Sequence, residues 1–236
     1  MKYETSPFLY KLNYLIKHKS NTATILAFFK FKLTKPFFNY FRSKEKKKNK
    51  DLIKDKLLSH DFFSMNVFDW KKNLKKYLKK DISYLEIGSY EGISAYFIYK
   101  LFNTESIHCV DTWQGSDEHG KDINFEDVEF KFDNNSKDIK NLNKHKSTSD
   151  VFFKNNQKSF DIIYIDGLHK YYQVKKDLNN ALKCLKEDGI IICDDYFWKL
   201  DENKSEIPIC AINEVVNENN LSIVAVTSNQ IFIKKD

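Results

Sequence analysis

Four short apolar runs constrain this chain more than any other feature. They are "ISYLEIG" (Ile82 to Gly88), "SIHCVD" (Ser106 to Asp111), "FDIIYIDG" (Phe160 to Gly167) and "IIICDD" (Ile190 to Asp195). Their length suits buried strands, and each ends on or beside an acid. Stretches with helical spacing lie between them. "GISAYFIYKLF" is one. "YYQVKKDLNNALKCLKEDG" is another, with Val174, Leu178, Leu182 and Leu185 on one face and Gly189 expected just past its end. The polar stretch from Trp113 to Lys146 contains a helical pattern around Phe125–Phe132. Further on, "IPICAINEVVNENN" reads as a helix and "LSIVAVTSNQIFIKK" as two strands around a Ser-Asn turn.

Strands that alternate with helices predict an α/β fold: a doubly wound, mainly parallel sheet covered on both faces. The C-terminal pair adds an antiparallel edge. In such sheets ligands bind at the carboxyl ends of the strands. The acids that close the four runs are therefore the first candidates for a site.

Bulk properties narrow the rest. With 236 residues, 42% apolar and 15% aromatic, the chain can build a core and is not globally disordered. The net charge of +6 is unevenly placed. Residues 1–50 hold 13 Lys/Arg and two acids, whereas the remainder is net acidic. The expected organisation is a basic, aromatic-rich helical arm over 1–50 and a domain over 51–236. In the arm, "FFKFKLTKPFFNYF" suggests one or two amphipathic helices broken near Pro36. The run "RSKEKKKNK" (Arg42 to Lys50) reads either as a solvated linker or as part of an arm lying on an anionic membrane or a partner. Nucleic acid is not expected. Residues 51–80 look helical, with Phe63, Val67, Trp70, Leu74 and Leu78 at helical spacing. The four cysteines form no CxxC pair, and two sit in strand-like runs. A reducing cytoplasm is expected. "TATILAFF" is too short for a span and has no cleavage site after it. The pattern does not fix an oligomeric state, and a homo-oligomer stays open.

The first run continues as "YLEIGSYEG". Glu86 and Gly88 close the strand and Gly92 opens the helix, so backbone can approach a ligand beside a helix N-terminus. The spacing is not GxGxxG. An acid at this strand end suits a cationic ligand group better than a pyrophosphate. Asp111 ends the second run and is placed to accept hydrogen bonds from ribose hydroxyls, or else to cap a turn.

These residues resemble the class I S-adenosylmethionine-dependent methyltransferases, which have a Rossmann-like fold. "VDTWQGSDEHG", "IYIDGLHKYYQVKKDL" and "IICDDYFW" resemble a narrower bacterial group with D-G-x-H and D-D-Y motifs, the methyltransferase 24-like enzymes. The resemblance covers roughly Ile82 to Trp198. It implies that Glu86 neutralises the methionine amino group, with Gly88, Ser89 and Gly92 around it. It implies further that Asp111 holds the ribose, that Ser149 in "STSD" approaches the adenine, and that Asp166 borders the cofactor. Trp113 either lines the adenosine pocket or packs in the core.

Asp166, Asp194 and Asp195 end neighbouring runs. Three carboxylates together repel strongly, and a hard divalent cation such as Mg²⁺ resolves that repulsion. The arrangement resembles the metal-dependent O-methyltransferases, where the metal chelates substrate oxygens and acidifies one of them. Otherwise the acids cap turns or hold the methionine moiety. His169, three residues after Asp166, is placed as a base or a metal ligand. His119 lies on the polar loop, and Tyr196 and Trp198 either wall the acceptor pocket or pack. The expected activity is methylation of a hydroxyl on a sugar or other small polar metabolite. Two alternatives remain: a non-catalytic adenosylmethionine-binding protein docked by its basic arm, and a metal-dependent hydrolase or hydroxylase.

Overall fold

A computed structural model describes residues 8–116 and 123–235. The chain divides into two compact units. One comprises residues 37–156, and the other joins residues 1–36 to residues 157–236. Seven strands follow the order β3-β2-β1-β4-β5-β7-β6 in one mainly parallel sheet. This is the doubly wound, Rossmann-like arrangement expected from the alternation of runs.

In the first unit, β1 (Asp81–Ile87), β2 (Asn103–Asp111) and β3 (Leu142–Lys146) are parallel. Burial follows composition. Ile82 through Ile87 are all buried because both sheet faces are covered, and the run has no polar alternation. Helix α4 (Ile93–Leu101) returns from β1 to β2, and α5 (Phe125–Ser136) and α6 (Ser149–Asn155) flank them. Asn124 caps α5 by accepting from Glu126 N, which satisfies an amide that has no partner inside the helix. Strand β3, "LNKHK", is half-buried and polar. It lies inside the stretch that sequence patterning leaves unassigned, because an edge position does not require an apolar run.

In the second unit, β4 (Phe160–Ile165) and β5 (Leu185–Cys193) are parallel. β7 (Ile231–Lys234) pairs antiparallel with β5, and β6 (Ser222–Val226) antiparallel with β7. Helices α7 (Tyr171–Cys184) and α8 (Pro208–Glu218) cover them, with Pro208 at the first turn of α8, where a missing N–H costs nothing. The helix expected to run up to Gly189 stops at Cys184, and Leu185 starts β5. Gly189 serves the strand instead. A Cβ there would lie 2.6 Å from the Leu185 side chain, at the register shift between Phe160 and Ile162 on the partner strand.

Two expectations for the N-terminal part are corrected. Helix α2 (Thr22–Leu52) is not broken at Pro36 but runs through it. A proline inside a helix removes one hydrogen bond and crowds the preceding turn. Packing on both sides offsets this. Upstream, Phe28 is fully buried and stacks on Phe8. Downstream, Arg42 pairs bidentately with Asp69 and Asn49 donates to Ser64 Oγ at 2.8 Å. The second correction concerns 51–80, expected to be helical, of which only part is. After α2 ends at Leu52, the α-helical part is α3 (Val67–Asn73), followed by a 3₁₀ turn at Lys75–Tyr77. Phe63, Val67, Trp70 and Leu74 are nevertheless buried as the spacing predicts, whereas Leu78 is exposed. All four cysteines are free and buried.

Candidate active site

The first cluster is built at the ends of β1 and β2. After Ile87 the chain turns through Gly88, whose N–H donates to Val110 O at 2.8 Å, and reaches Gly92, which opens α4. Gly92 has φ +79°, and a Cβ there would touch the Phe132 ring at 3.0 Å. Only glycine meets both demands without strain. The turn is tied down by Asp111. Its Oδ2 accepts from Ser89 N and Tyr90 N, each at 2.9 Å, and its Oδ1 accepts from Trp113 N at 2.8 Å. Three of about four acceptor positions of this carboxylate are thereby used on backbone. Asp111 therefore caps the turn, and any ribose contact adds to that role.

Glu86 is 1% exposed. Ser94 Oγ on α4 donates to its Oε1, and Tyr84 Oη donates to its Oε2 at 3.1 Å. Trp113 is 3% exposed, packs against Phe132 in a tilted ring pair with centroids 4.7 Å apart, and donates Nε1–H to Tyr90 O at 3.0 Å. The ring is thus buried in the core and, through Tyr90, tied to the glycine turn. Ser149 is the first residue of α6. Two residues earlier, Ser147 N donates to Asp111 O at 3.0 Å, which brings the end of β3 to the end of β2.

Sequence patterning misses Glu91. This buried carboxylate accepts Ser59 N through both oxygens, at 3.0 and 2.9 Å. Asn135 donates to Glu91 O at 2.9 Å and to Leu57 O at 2.8 Å. Residues 57–59 are thus stitched to the glycine turn. The signal was the acid inside "SYEG", but its partners lie 32 and 44 residues away and no local pattern reveals them.

The second cluster is built at the ends of β4 and β5. Asp194 N donates to Ile165 O at 2.9 Å, so the two strand ends stay in register past the last ladder pair. Asp195 has φ +50°. This left-handed residue turns the chain, and the adjacent acids diverge. Asp194 receives Gln230 Nε2–H at 2.8 Å on Oδ2, the Tyr164 phenol on the same oxygen, and Asp195 N–H at 2.8 Å on Oδ1. Tyr164 also lies 2.9 Å from Asp166 Oδ2. A phenol has one hydrogen, so it fully serves one carboxylate at a time. A proton on Asp194 lets that residue donate to Tyr164 while Tyr164 donates to Asp166. Burial, reinforced by the charges of Asp166 and Asp195, pushes the Asp194 carboxyl up to about 8 despite its hydrogen bonds.

Asp195 leads elsewhere. His169 Nε2 lies 3.2 Å from Asp195 Oδ2 and 3.6 Å from Asp166 Oδ1. The Trp198 ring packs against the imidazole, with centroids 4.8 Å apart. Asp166, His169 and Asp195 each present a ligand atom within 4.8 Å of the others. Two carboxylates and an imidazole this close fit a divalent cation, since their negative charge has to be compensated. The structure thus groups His169, rather than Asp194, with Asp166 and Asp195. Tyr196 is buried, with its Oη donating to Asn213 Oδ1 at 2.7 Å, and so packs rather than walling a pocket. His119 lies outside the described residues.

Residues 85–196 match the family described as "Methyltransferase domain". Glu86, Glu91, Asp111, Asp166, His169, Asp194 and Asp195 all fall inside that span. Over that stretch, a little under half of its length, the chain is similar to that methyltransferase family. Solved structures share the fold at low identity. The MycE methyltransferase of the mycinamycin biosynthetic pathway, in complex with Mg and SAH, is 13% identical with a TM-score of 0.57, covering 81% of this chain and 54% of its own. The O-methyltransferase TomG from Streptomyces achromogenes, involved in tomaymycin synthesis and in complex with SAM, is 11% identical with a TM-score of 0.56 over 85% of this chain and 96% of its own. A protein of Acanthamoeba polyphaga mimivirus, named only as uncharacterized, is 26% identical over 140 residues. That match spans 58% of this chain and 61% of the viral protein.

Proposed function

We propose that the domain is a divalent-metal-assisted O-methyltransferase acting on a hydroxyl of a sugar or another small polar metabolite. The observation that carries this reading is the convergence of Asp166, His169 and Asp195 within 4.8 Å. The β1–β2 cluster takes the donor: the glycine turn leaves room for backbone approach, and Glu86 supplies negative charge for the methionine amino group. Asp166 and Asp195 offer hard oxygen donors, which Mg²⁺ prefers. A cation held there would supply chelation of the acceptor and would acidify the hydroxyl to be methylated. His169 receives the hydroxyl proton at Nε2, and Asp195 beside it stabilises the imidazolium. Trp198 restricts the ring to that orientation. The sulfonium is already an activated donor, so alignment and deprotonation are what the protein must add.

The test is transfer of tritiated methyl from S-adenosylmethionine to a panel of sugars and hydroxylated metabolites, with EDTA and with Mg²⁺ restored. Transfer is expected to stop with EDTA and to return with the metal. Turnover that ignores the chelator excludes metal assistance. His169→Gln separates base from ligand: loss of kcat with unchanged Mg²⁺ dependence marks a base, whereas a raised Mg²⁺ requirement marks a ligand.

A further inference from the structure

Helix α2 does not show the usual division into an apolar inner face and a polar outer one. Its inner face is buried through Thr24, Phe28, Phe31 and Asn49. The outward face is apolar as well. Leu33 and Phe37 are 71% and 80% exposed, and Leu26, Tyr40 and Phe41 are also exposed. At 3.6 residues per turn these five fall within a sector of about 120°, together with Lys30, Lys44 and Lys48. Isolated exposed apolar residues are ordinary, but a continuous stripe along one helix marks a surface that something covers.

The charge of the same helix narrows what covers it. Residues 22–52 carry nine Lys/Arg against Glu45 and Asp51. Glu45 is held by Lys48 at 3.0 Å and by Lys71 at 2.6 Å. A second copy would bring the same basic stripe against itself across a twofold axis, where like charges oppose pairing. Nucleic acid would satisfy the lysines and leave Leu33 and Phe37 in water. An anionic bilayer surface accepts both: headgroups attract the lysines while leucine and phenylalanine enter the acyl boundary. Among the described residues no helix is long and apolar enough to cross a membrane, so the contact is one of lying on the surface.

We infer that the outward face of α2 docks this protein onto anionic lipid, with Leu33, Phe37, Tyr40 and Phe41 as the inserted side chains and Lys30, Lys44 and Lys48 as the headgroup contacts. The experiment is co-sedimentation of the full chain with vesicles of phosphatidylcholine alone or mixed with phosphatidylserine. Binding is expected only to the mixed vesicles and is released by high salt. Leu33→Ser with Phe37→Ser should weaken partitioning by at least about tenfold, and each of Lys44→Gln and Lys48→Gln by about fivefold. These side chains are exposed, so the melting temperature should not move. Absence of binding at low salt overturns the inference, as does equal binding by the Leu33/Phe37 variant. A concentration-dependent dimer that this variant abolishes would assign the face to a second copy. Retention on duplex DNA that survives the apolar changes would assign it to nucleic acid.

Discussion

Asp111 and Asp194 both follow strand ends, yet their surroundings differ. Asp111 is compensated by three backbone N–H groups, from Ser89, Tyr90 and Trp113. Asp194 meets one phenol, one side-chain amide and one backbone N–H while standing beside two further carboxylates. The first acid is met by fixed backbone dipoles, and so the β1–β2 turn is preorganised by the chain alone. The second is pushed toward its neutral form, and the charge of its cluster fits a cation. One cluster is built to shape a surface, the other to hold charge.

That contrast can be broken in several places. The largest effect is expected from Asp166→Ala. Methyl transfer should fall by on the order of 100-fold or more, with cofactor affinity by calorimetry unchanged. A matching loss of cofactor affinity would erase the distinction between the clusters. Asp111→Asn should do the reverse. Its new amide faces N–H groups, so stability should drop by roughly 2–3 kcal/mol and cofactor affinity should fall with it, both readable by thermal shift with and without cofactor. Gly92→Ala should cost about 1–3 kcal/mol from the strained φ and the Phe132 contact, seen as a lower urea midpoint.

A pH experiment sharpens the comparison further. The raised Asp194 carboxyl means that the folded state holds a proton the unfolded chain has released. Its contribution is fully present below the ordinary aspartate range and is lost as pH rises through about 8. Urea midpoints of the metal-free protein should therefore fall across that window, and Asp194→Asn should flatten the slope. The smallest effect is expected at Glu214. Hydrogen bonds from Lys204 and Tyr171 hold its carboxyl down to about 2. Its contribution is present above the ordinary glutamate range and is lost only as pH falls through about 2. The site is partly solvated, so Glu214→Gln should cost less than about 1 kcal/mol at neutral pH.

Much of this was legible in the chain. Ile82–Ile87 and Ile190–Cys193 read as buried strands, because they are short, rich in isoleucine and bounded by glycine or acids. Glycine at 88 and 92 and acids at 86, 111, 166, 194 and 195 announced strand-end chemistry, since strand ends are where such residues cluster. The polar β3 was hidden because edge strands need no apolar signature. The single helix through Pro36 was hidden because local propensity forbids what burial of Phe28 and pairing of Arg42 with Asp69 sustain.

Composition and spacing fixed which residues stand at the strand ends, since chain order alone carries them there. The tertiary structure decided how those residues group. A left-handed backbone at Asp195 sends one acid toward His169 and leaves the other with Tyr164 and Gln230. Gln230 follows Asp194 by 36 residues. Hydrogen-bond partners that far apart in the chain meet only through the sheet, so no reading of the adjacent pair "DD" could tell which carboxylate faces which way.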